Sequence, residues 1–257
     1  MKLYLLSCGT LDADRAVIHP GDDSRRRVLL PVMSVLIRSE GKNVLVDTGM
    51  PPVAAGDPGG MAREYGWDGM WLRSRVAATE RVDEQLRLLG LEPGDVDLVV
   101  NSHFHSDHAG GNALFEGVSI AAQEAELSVA SESEHYLPVW DAPGLVFQPV
   151  SGDWSPAPGV EMLHTPGHTP GHQSMLVRLP ERPWLFTFDA VYTEEHWRTG
   201  KLGAVKDVSQ ARASVERLRR TAEIEDARLV FGHDMAQWDA LGMVESGGPR
   251  LVASSET

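Results

Sequence analysis

Short apolar runs, with no helical period among them, set the pattern over residues 1 to 49 of this 257-residue chain. Leu3 to Leu6, Leu29 to Ile37 and Val44 to Val46 read as strands, the last running into Asp47-Thr48-Gly49. Residues 50 to 78 mix Gly, Pro and large side chains (Met61, Tyr65, Trp67, Met70, Trp71) without periodicity, which predicts a long loop or insertion. A helix follows, with Val82, Leu86 and Leu89 at i, i+4 and i+7, Thr79 placed to cap it and Gly90 to stop it. Val96, Leu98, Val99 and Val100 then form a buried strand, and Val118 to Ala122 another, ahead of a helix over Gln123 to Ala130.

Residues 131 to 159 read as loop, with Tyr136, Trp140, Phe147 and Trp154 set among prolines and acids. Val160 to Leu163, Met175 to Leu179 and Trp184 to Phe188 are further strands. A helix around Ser209 to Ile224, capped by Ser209, puts Ala211, Val215, Leu218 and Ala222 on one stripe. A last strand, Arg228 to Phe231, runs into Gly232-His233-Asp234, and the small polar tail from about residue 245 is expected to fray. Strands dominate each half, with helices between and after them, so the pattern predicts an α/β layered fold built as one domain over residues 1–257.

Composition narrows the partners more than the fold. With 42% hydrophobic and 23% charged residues the chain is an ordinary globular one, long enough to bury a large core. Its 37 acidic against 23 basic residues give a net charge of −14, which argues against nucleic acid as a partner. Cys8 is the only cysteine, so an intramolecular disulfide or cysteine metal cluster cannot form and a reducing cytoplasm fits. The N-terminal MKLYLLSCGT is too short and too weakly apolar for a signal segment or membrane span and reads as a first strand.

The candidate chemistry sits where the strands end. Asn101 to Asn112, NSHFHSDHAGGN, follows the Val96 to Val100 run directly and holds His103, His105, Asp107 and His108 within six residues. Continued extension would put His103, His105 and Asp107 on one side and His108 elsewhere, unless the backbone turns. Gly110 and Gly111 give the chain freedom to turn away beside a cation. His168 after the strand ending at Leu163, Asp189 after Phe188 and His233 after Phe231 repeat that placement. Singly each has an ordinary reading, as a turn residue, a helix cap or a satisfied loop histidine; the shared placement joins them. Five imidazoles and two carboxylates suit borderline divalent ions, zinc first, with iron, cobalt or manganese as alternatives. Seven ligands exceed one tetrahedral ion. Two ions about 3.5–4 Å apart, with Asp189 the natural bridge, would use them all, hold a bridging hydroxide and polarise a carbonyl, the arrangement of two-metal hydrolases.

These motifs resemble the metallo-β-lactamase superfamily and, within it, the N-acyl-homoserine lactone lactonases. The likeness rests on His103-Phe104-His105-Ser106-Asp107-His108-Ala109-Gly110-Gly111-Asn112, on Thr165-Pro166-Gly167-His168-Thr169-Pro170-Gly171-His172, on Asp189-Ala190-Val191-Tyr192 and on Phe231-Gly232-His233-Asp234. It implies an αββα sandwich in which His103, His105 and His168 hold one metal, Asp107, His108 and His233 the other, and Asp189 bridges. Asp47 would support the ligands without binding metal, and His172 would pack behind them. His19, His135, His164 and His196 have no motif support and read as ordinary histidines. Tyr192, three residues after Asp189, is the feature that points to a lactonase: its phenol can donate to the oxygen where charge develops, although a core tyrosine at a strand's end is the bland alternative.

The expected reaction is therefore hydrolysis of a small-molecule lactone by attack of a metal-bridging hydroxide, with Asp107 carrying a proton to the departing ring oxygen. The 50–78 loop is a candidate wall for an acyl-chain groove, a homodimer contact or a packed lid. Competing readings are a lactonase for another ring such as 4-pyridoxolactone, and a glyoxalase II-like thioester hydrolase, which lacks support from any basic C-terminal segment. A β-lactamase is disfavoured by the absence of a visible export signal, and a nuclease by the acidic charge. A flavodiiron-like redox module is disfavoured by histidine at position 105 and by the lack of a flavin domain.

Overall fold

In the computed structural model, which describes residues 1–57, 59–67, 72–130, 136, 138 and 142–254 (without the side chains of 245 and 246), the two halves of the chain form two sheets that stack face to face. Met70, Trp71, His135 and Trp140 lie outside the described residues. The strands are β1 (Lys2–Asp14), β2 (Arg27–Ser39), β3 (Lys42–Val46), β4 (Leu72–Arg75), β5 (Leu98–Val100), β6 (Ser119–Gln123), β7 (Val146–Val150), β8 (Trp154–Ala157), β9 (Val160–His164), β10 (Gln173–Val177), β11 (Trp184–Phe188), β12 (Arg228–Phe231) and β13 (Arg250–Ser254). The first sheet runs β13-β1-β2-β3-β5-β6-β7, with β4 on the far half of β1; the second runs β12-β11-β10-β9-β8. Parallel pairing joins β3, β5, β6 and β7, and joins β11 to β12, so several strands end at the same edge of the sandwich.

Period-two alternation sorts each strand between two cores. Met33, Val35 and Ile37 of β2 meet Met175, Val177, Phe186 and Phe188 of the second sheet in the layer between the sheets. Leu36, Leu45, Val99 and Ile120 face outward, where α2 (Val82–Arg87) covers them with Val82 and Leu86. On the other outer face Leu176 and Leu185 pack under Leu218 of α6 (Val208–Ile224). Strands buried on both faces explain why the runs were continuously apolar. Phe186 and Phe188 are fully buried, each worth about 1.5–3 kcal/mol of burial.

The expected strands and the three expected helices are present; four details differ. Within the 50–78 segment the chain forms α1 (Gly60–Tyr65) and β4, because the backbone of β1 from Thr10 to Ala13 offers an edge that a sequence pattern cannot display. The 131–159 stretch contributes β7 and β8. Residues 250–254, expected to fray, pair with Lys2 to Leu5 of β1. The caps also move: Asp207, not Ser209, accepts from the Gln210 amide at the start of α6, and α2 starts after Arg81, with Thr79 inside a preceding 3-10 turn. The remaining helices are α3 (Ser106–Ala109), α4 (Glu124–Ala130), α5 (Glu194–Thr199), α7 (Met235–Ala240) and α8 (Met243–Ser246). Among the described residues no helix is long and apolar enough to cross a membrane.

Candidate metal centre

All eight sequence-predicted site residues come together at the edge where β5, β9, β11 and β12 end. After β5 the chain runs through His103 and Phe104 to an extended His105 (φ −64, ψ 153), then turns into α3, whose first bonds run from the His108 and Ala109 amides to the His105 carbonyl (3.0 and 2.9 Å). This turn corrects the parity expected for an extended chain. Asp107 leaves the face of His103 and His105 and joins His108. Gly110 and Gly111 are needed for space, not for backbone freedom: both have negative φ, and a Cβ on either would overlap Pro51 or Thr48. At the end of β11 the backbone enters the left-handed region at Phe188 (φ 43), a strain of about 1–3 kcal/mol for an aromatic residue, and the next carboxylate, Asp189, faces the histidines.

Two groups of donors result, His103, His105, His168 and Asp189 in one, Asp107, His108 and His233 in the other. In the first, Nε2 of His103, Nδ1 of His105 and Nε2 of His168 stand 2.9–3.2 Å from one another. In the second, Oδ2 of Asp107 lies 3.4 Å from Nε2 of His108 and 3.5 Å from Nε2 of His233. Asp189 spans both, with Oδ1 3.2 Å from His108 and from His233, and Oδ2 3.3 Å from His168.

Hydrogen bonds behind the rings aim the lone pairs inward. The Nδ1–H groups of His108, His168 and His233 donate to Asp47 (2.7 Å), to the Ala204 carbonyl (2.8 Å) and to the Pro31 carbonyl (2.9 Å), a tautomer assignment read from these partners. His103 donates through Nδ1 to Ser102 Oγ (3.1 Å), whose hydroxyl donates in turn to Asp47 (2.7 Å). Every Nε2 so freed faces the centre. Nε2 of His108 and Oδ1 of Asp189 are buried with no hydrogen-bond partner among the described residues, a costly arrangement unless a cation takes them. A tetrahedral ion with bonds of about 2.0–2.1 Å holds its donors about 3.3 Å apart, close to the observed triangle, so the residues fit divalent metal.

Asp47 and His172 take the supporting places expected of them. Asp47, in the left-handed region (φ 61), accepts from the Ser102 amide as well as from His108. His172 accepts the Asp189 amide at Nε2 (3.1 Å). His19, His164 and His196 stand outside both groups: His19 stacks on His196 at 4.4 Å, and His164 donates to the Pro170 carbonyl.

Charge separates the two groups. Burial among neighbouring imidazoles lowers the pKa of His103 well below the histidine range and that of His105 to about 3. For His108 burial is outweighed by Asp189, Asp107 and Asp47, which raise it well above the ordinary value; Asp189 and Asp107 raise His233 in the same way. Burial would raise the carboxyls too, but His108 brings Asp107 down to about 2, and His233 with His108 holds Asp189 well below the carboxylate range. Burial, then Asp189 and Asp107, push the Tyr192 phenol well above 10, so it stays an O–H donor.

A cavity of about 340 Å³ opens over the centre. His105, Asp107, His168, Asp189, Tyr192 and His233 form its polar end, and Leu11, Val17, Ile18, Leu30, Trp67 and Leu72 its apolar walls. The 50–78 segment thus does supply wall residues, Trp67 and Leu72, while the share of the N-terminal hairpin had no sequence signal. Tyr192 lines this cavity and is only 5% exposed, with its hydroxyl 3.1 Å from Nδ1 of His168 and 3.3 Å from the Ala204 carbonyl.

Known proteins resemble this chain. Residues 27–233 match the family described as the metallo-beta-lactamase superfamily. The chain is 36% identical over 237 residues to an N-acyl homoserine lactonase of a Bacillus species, covering 92% of this chain and 94% of that one. It is 33% identical over 261 residues to the N-acyl homoserine lactonase AttM of Rhizobium radiobacter, covering 93% and 95%. Among solved structures, an N-acyl homoserine lactone hydrolase with the product N-hexanoyl-L-homoserine bound at its catalytic metal center superposes with a TM-score of 0.86 at 33% identity, covering 93% and 95%. With its stacked sheets, its two donor groups and this likeness over nine-tenths of its length, the chain belongs to the metallo-β-lactamase superfamily, among the relatives of the N-acyl homoserine lactonases.

Proposed function

We propose that this chain, acting as a single metallo-β-lactamase-like domain, is a dinuclear metal-dependent hydrolase that opens the lactone ring of N-acyl homoserine lactones, with zinc as its metal. The observation that carries the reading is the cavity in which members of both donor groups and a protonated phenol share one end and six apolar side chains wall the other. His103, His105 and His168 are assigned to one ion, Asp107, His108 and His233 to the other, and Asp189 to both. The names of the relatives supply the ring: they are lactonases of N-acyl homoserine lactones.

When bound, two divalent ions supply Lewis acidity toward the ring carbonyl and a water of lowered pKa. The chain's own residues do the rest. Tyr192 donates its O–H to the carbonyl oxygen as negative charge develops there, and a donor in a dry site is worth far more than one in water. Asp107, ionised and at the cavity surface, takes a proton and delivers it to the departing ring oxygen. Leu11, Val17, Ile18, Leu30, Trp67 and Leu72 exclude water and seat the acyl chain. The lone thiol, Cys8, is buried against Ser34 and suits a reducing cytoplasm.

The test is direct turnover. Purified protein loaded with zinc should acidify solutions of N-acyl homoserine lactones through ring opening, lose that activity to a chelator and regain it with metal. Efficient turnover of only 4-pyridoxolactone, or only of glutathione thioesters, would overturn the substrate assignment.

A further inference from the structure

Glu126 lies in the first turn of α4, is fully buried and has no ion-pair partner among the described residues. A buried carboxylate without a cation is costly unless several donors satisfy it. Three do. Oε1 accepts from the Phe104 amide (3.0 Å) and the Tyr136 hydroxyl (2.9 Å), and Oε2 from the Gly171 amide (2.9 Å).

Those donors belong to the parts that carry the three-histidine group. Phe104 stands between His103 and His105. Gly171 is in the loop of His168 and meets α4 backbone to backbone, so that a Cβ on it would overlap Glu126 itself. Tyr136 lies against His105, ring centroids 5.5 Å apart and planes 36° apart. His105 is also the one histidine of the two groups whose second ring nitrogen has no recorded hydrogen bond among the described residues. Metal-binding histidines are ordinarily oriented through that nitrogen. For His105 the task falls to packing, and Glu126 holds the packing residue by its hydroxyl.

We infer that Glu126 is a positioning residue for one half of the centre: its carboxylate fixes the spacing of the His103–His105 and His168 loops and, through Tyr136, the ring of His105. His108 and His233 are oriented by other elements, through Asp47 and the Pro31 carbonyl, and among the described residues no hydrogen bond joins Asp107, His108 or His233 to Glu126. Loss of the clamp is therefore one-sided. The inference rests on the assignment of the three histidines to one ion.

Glu126→Gln keeps the size but replaces one acceptor oxygen by an N–H₂ donor, so it cannot serve both loops. Metal-free wild type and variant are titrated with Co²⁺ against a chromophoric chelator, with visible absorption reporting each equivalent and circular dichroism the fold. Wild type should take two equivalents. In the folded variant one equivalent should weaken by about 10–100-fold with a changed visible band, while the other is unchanged. Tyr136→Phe, which removes one of the three hydrogen bonds, should weaken the same equivalent by less, and it decides the matter by the same pattern if Glu126→Gln does not fold. Two unchanged equivalents, or an equal weakening of both, would overturn the inference while leaving the two-metal reading standing. Fewer than two equivalents in wild type would overturn both.

Discussion

Nδ1 of His108 lies 2.7 Å from Oδ2 of Asp47, a residue that belongs to neither donor group, yet this contact decides which nitrogen of His108 keeps its lone pair. Asp47→Asn tests it. The remaining amide oxygen is claimed by the Ser102 amide, 2.7 Å from Oδ1, which leaves an N–H₂ facing the Nδ1–H of His108. The ring is then expected to move its proton to Nε2, lowering metal affinity about 10–100-fold and lactone turnover with it. Wild-type metal affinity in a folded Asp47→Asn protein would show that Asp47 serves only the fold.

Tyr192 and Gly203 form a second pair, because a Cβ built on Gly203 would overlap the phenol ring. Tyr192→Phe should cut kcat by about 10²-fold with metal content unchanged, since losing one donor to a developing oxyanion costs on the order of 10²–10³. Gly203→Ala should cut kcat comparably although the phenol remains, by displacing it. In a Tyr192→Ala background the overlap is gone and Gly203→Ala should cost nothing more. Additive losses in the double variant would refute the coupling.

How much of this was legible from the residues follows from where each signal lives. His103, His105, His168, Asp189 and His233 could be found because each hard ligand interrupts the chain just after an apolar run, a local pattern. Asp107 and His108 were visible, but their division from His103 and His105 came only from the family resemblance and not from the local pattern, because the turn at Ser106 is fixed by bonds to the His105 carbonyl. Glu126 was missed altogether. In Glu124 to Ala130 it resembles a solvated helix acid, and the one hint is that it shares a helix face with buried Ala130, four residues on. The pairing of β13 with β1 was equally hidden, since its template is the backbone of residues 2 to 5, about 250 positions away. What tertiary contact decides, local pattern did not reveal.

Cys8 offers a check on the core away from the centre. Burial pushes its thiol from 9.0 up to about 12, with the nearby Ser34 hydroxyl only partly opposing. The thiolate is the reactive form, so native protein at about pH 8 should not react with a disulfide reagent over hours, while unfolded protein should yield one thiol per chain. The sign for stability follows. Above the unfolded value the unfolded chain loses its proton while the folded one keeps it, so this thiol costs stability as pH rises from about 9 to 12. Rapid labelling of folded protein would mean that β1 opens far more readily than its complete burial implies.

The pH dependence of the metal-free chain should run opposite to that of metal uptake. His108 is raised well above 6.5 and His233 is raised too, so their stabilising charge is fully present below 6.5 and is lost as pH climbs through the raised values. Asp107, lowered from 3.8 to about 2, stabilises above 3.8 and gives that up as pH falls toward 2. His103 and His105, held below 6.5, act in the opposite sense and cost stability as pH falls below 6.5, so the metal-free protein should melt highest at about pH 6.5 and lose stability on either side. Metal must displace the protons held on His108 and His233, so its affinity should rise with pH across the range in which they would otherwise stay charged. Calorimetry at about pH 7 in buffers of different ionisation enthalpy counts the protons released per ion. Zero release, or a metal-free melting temperature that rises above about pH 7.5, where the lowered histidines no longer contribute, would mean that the carboxylates of Asp107 and Asp189 do not hold those imidazoles charged.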